Sequence, residues 1–352
     1  MTAILDRVPL APLTTLEVGG AARHFIQAND DATVVGALRW ATERGLPVAI
    51  LGGGSNVVVP DAGFDGLVIR VAPRGRRFED AAGGLVTLTA AAGEPWDELV
   101  AAAITRGLAG IECLSGIPGL AGATPIQNVG AYGQEVADTI RAVRVLDRAT
   151  LQVTELDAAA CGFGYRDSRF KRDPEAFVVL GVTFALRPGA PPALRYPELA
   201  AALASSATPT LAEARAAVLA LRARKSMVLR ADDPNRRSAG SFFTNPIVDA
   251  AAADEVARRA GALQMPRFPA GPGRVKLSAG WLIEQAGFPR GTRRGPVGIS
   301  TAHALALVNL GGARTDDLLA LAAEIVAAVR DRLGVTLAPE PVLLGAAWPT
   351  RA

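Results

Sequence analysis

Cysteine, histidine and lysine are scarce in this chain, and each shortage excludes something. Two cysteines among 352 residues, Cys113 and Cys161, cannot build a disulfide framework and offer no zinc spacing. The two histidines, His24 and His303, lie far apart in the chain, so no metal site is expected. Lysine occurs at Lys171, Lys225 and Lys276 alone, and arginine supplies 34 of the 37 cations. Those cations form no block and the net charge is only +3, which excludes a general nucleic-acid binder. No stretch approaches the roughly 18 uninterrupted apolar residues of a membrane helix. The strongest candidate, 318–329, contains Glu324 and has helical amphipathic spacing. The first twelve residues carry Asp6 and lack the apolar core of a secretory leader. Together these absences predict a reduced, cytoplasmic, soluble protein without a membrane partner.

Half of the residues are apolar and a fifth are charged, which supplies ample core for two or three domains. The 37 glycines and 24 prolines predict many irregular loops. A helix is expected over 31–44, capped by Asp30 or Asp31, with Val34, Val35, Leu38 and Ala41 on one face. Strands are expected at 47–51, 66–71 and 85–91, and a helix at 95–106 with Pro95 in its first position. Alternation of β-branched and charged residues predicts a hairpin over 139–147 and 151–155, followed by a strand at 177–186. The proline-rich stretch 188–198 reads as loop and domain edge. A helix at 211–225 follows, then a strand at 241–248, helices at 250–260 and 279–285, and a strand at 304–310. A helix at 315–333 and a short strand at 342–344 close the chain. The first half is therefore α+β, and the last third is a small α/β layer.

Two segments carry chemistry. In 52–56, Gly52, Gly53 and Gly54 follow a strand and precede Ser55 and Asn56. Such a turn can point successive N–H groups into one concavity and bind a diphosphate without lysine; a plain tight turn explains it equally well. It is neither a Walker loop nor a Rossmann fingerprint. The second segment, 116–133, holds five glycines, two prolines and almost no charge. A solvent loop of that length should be polar. An apolar one suits packing against a flat buried ligand, with Gln127 and Asn128 as polar contacts, or else a buried glycine-rich crossover.

Taken with four further segments and a motif inside the second loop, these loops resemble the MurB family of UDP-N-acetylenolpyruvoylglucosamine reductases, type I. The further segments are Tyr-Arg-Asp-Ser (165–168), Ala-Gly-Ser-Phe-Phe-Thr-Asn-Pro (239–246), Lys-Leu-Ser-Ala-Gly-Trp-Leu-Ile-Glu-Gln (276–285), Pro-Glu-Pro (339–341) and, within the loop, Gln-Asn-Val-Gly-Ala-Tyr-Gly (127–133). Each is weak alone, but their occurrence in this order from Leu13 to Gly345 is specific. The resemblance implies an α+β, FAD-binding region of the vanillyl-alcohol-oxidase type and a C-terminal α/β substrate domain. The implied boundaries are 1–72 and 73–197 for two FAD-binding subdomains and 198–352 for the UDP-sugar domain. It implies non-covalent FAD, NADPH as reductant, and reduction of an enolpyruvyl ether to a lactyl ether in peptidoglycan precursor synthesis. No nucleic acid is implied, and a monomer is expected.

By the same resemblance, the FAD contacts are Gly52, Gly53, Gly54, Ser55, Asn56, Ser115, Gly116, Ile117, Pro118, Gly119, Gly122, Ala123, Gln127, Asn128, Gly130, Ala131 and Tyr132. Hydride addition to the enolpyruvyl group leaves negative charge that spreads into its carboxylate. A fixed cation must meet that charge, and an acid must protonate the adjacent carbon. The resemblance gives these roles to Arg166 and Ser241, with Glu340 as a second acidic group. Guanidinium suits the first role, being planar and always charged. Tyr165, Tyr196, Lys225, Asn245 and Gln285 are implied substrate contacts, Tyr196 as a lid over the UDP part and Lys225 at its diphosphate. The stretch 226–237 departs from the pattern, being longer and more basic (Arg230, Arg236, Arg237), and leaves the register at Lys225 open.

Other residues read as structural: His24 and His303, Trp281 in a core face, Cys113 and Cys161 as small buried hydrophobes, and Phe242 and Phe243 as walls around Ser241. Two rival readings stand beside the reductase. One is an oxidase on the same FAD fold, disfavoured because such enzymes often tether flavin through the histidines or cysteines that are scarce here. The other is a non-catalytic flavin- or UDP-sugar-binding module, disfavoured by the joint presence of Arg166, Ser241 and Glu340.

Overall fold

In the computed structural model the longest described strand is Phe177–Pro188, whose β-branched run Val178–Val179 and its neighbours are buried on both faces. The structure describes residues 3–262, 264–346 and 348; Met1 and Ala352, the outer limits of the expected domains, lie outside the described residues. The long strand is the centre of an antiparallel sheet with the order Val153–Asp157, Ile140–Asp147, Phe177–Pro188, Leu85–Ala91, Arg76–Ala81. The helix Trp96–Thr105 covers it with Trp96, Leu99, Val100 and Ala103. Pro95 is its N-cap and not its first residue. Trp96 donates its indole N–H to the Leu114 carbonyl at 3.0 Å, so the large buried ring leaves no orphan donor.

A second, four-stranded sheet runs Leu5–Pro9, Ala21–Ala28, Phe64–Val71, Val48–Leu51, with the last two parallel. The helix Asp31–Thr42 packs Val34, Ala37, Leu38 and Ala41 against it, and Asp30 accepts the Thr33 N–H at 2.7 Å as the N-cap. Both sheets belong to one compact unit: the described residues up to Val8, Ala22–Gly53 and Asp65–Val228. The expected boundary at 198 does not mark the edge of this unit. The helices Pro197–Ala202 and Leu211–Arg224 pack Leu199, Leu203, Val218 and Leu221 with Cys113 inside it. A reciprocal Thr210–Glu213 capping box starts the longer helix.

The second unit comprises Pro9–Ala21, Gly54–Phe64 and the described residues from Leu229 onward. It holds two small antiparallel sheets, ordered Ile247–Asp249, Arg274–Leu277, Arg267–Pro269 and Arg293–Arg294, Val297–Ile299, Leu307–Asn309. The helices Ala250–Ala260, Ala279–Gln285 and Thr315–Leu333 carry its core, which includes Val256, Leu282, Ile283, Leu318, Leu321 and Ile325. The chain returns in Val342–Leu343, parallel to Val57–Val58.

These units are α+β. Two expected strands shorten markedly: 304–310 to Leu307–Asn309, and 241–248 to its last two residues, at the start of Ile247–Asp249. Phe242 and Phe243 are both buried, so the side chains do not alternate between a wet and a dry face. Their backbone instead crosses between two segments: the Phe242 N–H reaches the Leu305 carbonyl at 2.7 Å, and the Thr244 N–H reaches that of Ala338 at 3.0 Å. Several strands have no sequence expectation: Arg76–Ala81 and Arg267–Pro269 are mostly exposed, whereas Ala21–Ala28 and Val297–Ile299 are largely buried. Part of the expected 188–198 loop is helix, with Pro197 at its first position.

Candidate functional site

In the first unit the two glycine-rich segments meet. The strand Val48–Leu51 ends at Gly52 and Gly53, and a Cβ on Gly53 would lie 2.9 Å from the Cα of Gly119. Only glycine allows that approach. Gly52 has Ala123 Cβ as its nearest such neighbour, at 3.9 Å, so its main chain stays open on that side. Gly54, Ser55 and Asn56 belong to the second unit, where the Gly54 carbonyl accepts the Thr15 N–H at 3.1 Å. The Asn56 carbonyl accepts the Val342 N–H at 2.9 Å.

The loop that starts at Ser115 is held on all sides. Ser115 is buried and its hydroxyl donates to the Glu112 carbonyl at 2.6 Å. The Gly116 N–H donates to Asp97 at 2.5 Å, and Arg215 clamps the same carboxylate with two bonds of 2.6 and 2.7 Å. Burial raises the Asp97 pKa, but the Arg215 and Gly116 hydrogen bonds outweigh it and hold the carboxyl below the ordinary aspartate range. Ile117 packs on the core of the large sheet. Pro118 leads into Gly119, whose carbonyl accepts the Trp96 N–H at 3.0 Å. Gly122 and Ala123 form a 3-10 turn, in which the Gly122 N–H reaches the Ala92 carbonyl at 2.9 Å.

Gln127 is half-buried, and Asn128 is buried with three internal bonds. Its amide N–H groups donate to Glu135 at 2.7 Å and to the Gly164 carbonyl at 2.9 Å, and its oxygen accepts the Ala137 N–H at 3.1 Å. Asn128 is therefore an internal tie of the loop. Gly130 and Ala131 pair with Gln134 and Glu135. A Cβ on Gly130 would sit 2.8 Å from the Glu135 side chain and 3.0 Å from Arg166.

The Tyr-Arg-Asp-Ser turn is bound to this same loop. Arg166 adopts a positive φ of 52° and its guanidinium donates to the carbonyls of Asn128 at 3.3 Å and Gly130 at 2.5 Å. The Tyr165 ring lies 5.8 Å from the guanidinium carbon. Ser168 caps the short helix Arg169–Arg172 and donates to the Ile126 carbonyl at 2.5 Å. The expected cofactor loop and the expected substrate cation are thus one hydrogen-bonded structure.

Tyr132, Tyr196 and Lys225 also come together in this unit. The two rings meet edge to face with centroids 5.2 Å apart. Lys225 caps the helix Leu211–Arg224 and pairs with Glu198 at 2.7 Å. Burial raises the Tyr132 phenol pKa, against the opposing pull of Lys225 and Arg222.

In the second unit Ser241 and Glu340 lie on adjoining segments: the Glu340 N–H donates to the Phe242 carbonyl at 2.9 Å, and Phe243 bridges Pro339. His303 Nε2 is 3.5 Å from Ser241 Oγ. Asn245 accepts the Ala279 N–H at 2.9 Å, at the start of the helix whose last residue is the exposed Gln285. The basic stretch 226–237 has its own partner here, since Glu17 binds both Arg236 and Arg237.

Asp97, Glu198 and His303 had no expected place in this arrangement. A residue-level signal existed for two of them: Asp97 directly follows Pro95-Trp96 at a helix start, and Glu198 follows Tyr196-Pro197. His303 carries no such local mark. Among the described residues there is no cluster of metal-ligating side chains, and no helix is long and apolar enough to cross a membrane.

The bare glycine contact between 52–53 and 116–123, with an open main chain at Gly52, fits an elongated diphosphate-bearing group such as FAD. Residues 22–156 match the FAD binding domain family, and residues 232–344 match the C-terminal domain of UDP-N-acetylenolpyruvoylglucosamine reductase. The class is that of an FAD-dependent oxidoreductase. A UDP-N-acetylenolpyruvoylglucosamine reductase of Streptomyces coelicolor is 52% identical over 352 residues, covering 97% of this chain and 91% of the relative. One of Saccharopolyspora erythraea is 52% identical over 349 residues, covering 96% and 95%. The crystal structure of the enzyme from Thermus caldophilus superimposes with a TM-score of 0.67 at 28% identity, covering 97% of this chain and 99% of that one. The chain belongs to the UDP-N-acetylenolpyruvoylglucosamine reductase family.

Proposed function

We propose that this protein reduces the enolpyruvyl ether of UDP-N-acetylglucosamine to UDP-N-acetylmuramate, with NADPH as reductant, as a step of peptidoglycan precursor synthesis. It acts as a cytoplasmic monomer on small molecules, without nucleic acid or membrane. Bound FAD supplies a two-electron hydride relay between the two substrates. In this reading 1–72 and 73–197 carry FAD and 198–352 carries the UDP-sugar, although the helix that ends at Lys225 packs in the first unit.

The family relationship supports the overall reaction. The observation that carries the residue roles is the bond from the Glu340 N–H to the Phe242 carbonyl at 2.9 Å, which sets the segments of Ser241 and Glu340 side by side. That bond holds a hydroxyl and a carboxyl on neighbouring backbones. Ser241 delivers a proton to the substrate carbon next to its carboxylate, and Glu340 is the second acidic group there. Serine is a weak acid, so the transfer proceeds only because a far stronger base, the enolate carbon, forms in front of it. Arg166 neutralises the charge that spreads into the carboxylate, with the carbonyls of Asn128 and Gly130 orienting its guanidinium. Tyr165, Tyr196, Lys225, Asn245 and Gln285 contact the UDP-sugar. Residues 52–56, 115–119, Gly122, Ala123, Gln127, Asn128 and 130–132 contact FAD, several of them through backbone alone.

Stopped-flow absorbance separates the two half-reactions. Ser241→Ala is expected to leave flavin reduction by NADPH within about threefold of wild type, while oxidation by the enolpyruvyl sugar falls about 10²–10⁴-fold. Equal slowing of both halves would make Ser241 a structural residue. Reoxidation by air as fast as by the sugar would turn the reading toward an oxidase.

A further inference from the structure

Lys225 Nζ and Glu198 Oε2 lie 2.7 Å apart in the first unit. The lysine ends the helix Leu211–Arg224; the glutamate sits in the first turn of Pro197–Ala202, whose N-cap is Tyr196. Tyr196 in turn rests against Tyr132 of the glycine-rich loop. The side chains of the pair are 36% and 41% exposed, so a solute can reach them. Burial works against the charge on Lys225, but the Glu198 hydrogen bond and the neighbouring tyrosines outweigh it and raise the pKa of the ammonium.

We propose that Glu198 sets the affinity of this site for a nucleoside diphosphate, as the resident counter-ion that the diphosphate displaces from Lys225. The inference rests on the reading of Lys225 as the diphosphate contact. An ammonium has three donors but a single charge. A carboxylate held against it cancels much of the field that an incoming diphosphate would meet and occupies the donors that the diphosphate would take. Removal of the carboxylate should therefore tighten binding, provided that the lysine is present to benefit. Because Glu198 and Tyr196 share one helix start, the exchange also unties the Tyr196 turn from Lys225 when the diphosphate arrives. Weak binding of the unreacted nucleotide moiety favours turnover, since the same moiety leaves on the product.

The test is calorimetric binding of UDP to the FAD-loaded full chain in the wild type, Glu198→Gln, Lys225→Met and the double variant. Glu198→Gln is expected to bind UDP about three- to tenfold more tightly. Lys225→Met is expected to bind it at least about tenfold more weakly, and adding Glu198→Gln to Lys225→Met should change affinity by less than about twofold. Unchanged or weaker binding by Glu198→Gln alone overturns the exchange while leaving Lys225 as a contact. A gain that persists in the double variant also overturns it, because simple repulsion would then explain the effect. Wild-type affinity in Lys225→Met removes the contact itself and the exchange with it. Visible flavin spectra and thermal melts check that each variant is folded and loaded; Glu198→Ala or Lys225→Gln replaces any variant that is not.

Discussion

His303 Nε2 stands 3.5 Å from Ser241 Oγ, and the backbone locks the two segments together through the Phe242 N–H and the Leu305 carbonyl at 2.7 Å. In the proposed role of Ser241 as proton donor, a neighbour that orients its hydroxyl is an advantage. Replacement of His303 by Phe is expected to slow oxidation of the reduced flavin by the enolpyruvyl sugar about five- to tenfold, the worth of one hydrogen bond of ~1 kcal/mol. His303→Gln, which keeps a polar partner, should recover most of that loss. Flavin reduction by NADPH should not move. A Gln variant as slow as the Phe variant would make His303 a packing residue only.

Asn128 should act on stability before chemistry. It makes three bonds inside the loop, to Glu135, Gly164 and Ala137. Asn128→Ala leaves two half-buried backbone groups without their partner and should cost about 1–2 kcal/mol. Urea titration measures that loss, and the FAD-to-protein ratio after dialysis should fall with it. Full stability together with lost FAD would instead show that the Asn128 side chain, and not only its backbone, contacts the cofactor.

Asp97 gives a pH dependence with a definite sign. Its folded carboxyl lies below the ordinary value of 3.8 because the Arg215 and Gly116 bonds overcome the opposing effect of burial. A depressed carboxyl adds stability that is complete above the unfolded value and disappears as pH falls through the folded one. Asp97→Asn is therefore expected to cost about 1–2 kcal/mol at pH 7, discounted for the partial exposure of the pair. The gap between variant and wild type should close as the pH falls below the ordinary aspartate value of 3.8 and through the lower folded one. Melts across that range decide it; a constant gap would mean that shape and not charge holds the Gly116 turn.

The thiols should be inert. Burial pushes Cys113 up to about 12 and Cys161 up to about 11, with Glu112 and Asp157 adding to the effect. Thiolate is then scarce at pH 8. A disulfide reagent should label neither cysteine in the native protein within minutes, and both in guanidinium. Fast native labelling of one would show that its surroundings open.

Local pattern marked most of the elements. The helices Ala250–Ala260, Ala279–Gln285 and Thr315–Leu333 agree with their expected ranges residue for residue, because apolar spacing, an N-capping Asp249 or Ser278 and a closing Gly261 or Gly334 are short-range features. Exposed strands such as Arg76–Ala81 carry no apolar alternation and were illegible, since pairing with the strand Leu85–Ala91 and not a pattern of their own creates them. The resemblance marked the residues proposed for the chemistry: the guanidinium of Arg166, the hydroxyl of Ser241 and the carboxyl of Glu340. Their partners were settled by folding. Arg166 finds the carbonyls of Asn128 and Gly130 across 36 to 38 residues, Lys225 finds Glu198 across 27, and Ser241 finds His303 across 62. Spacing along a chain encodes turns and faces, whereas a hydrogen bond between distant residues depends on how the faces pack.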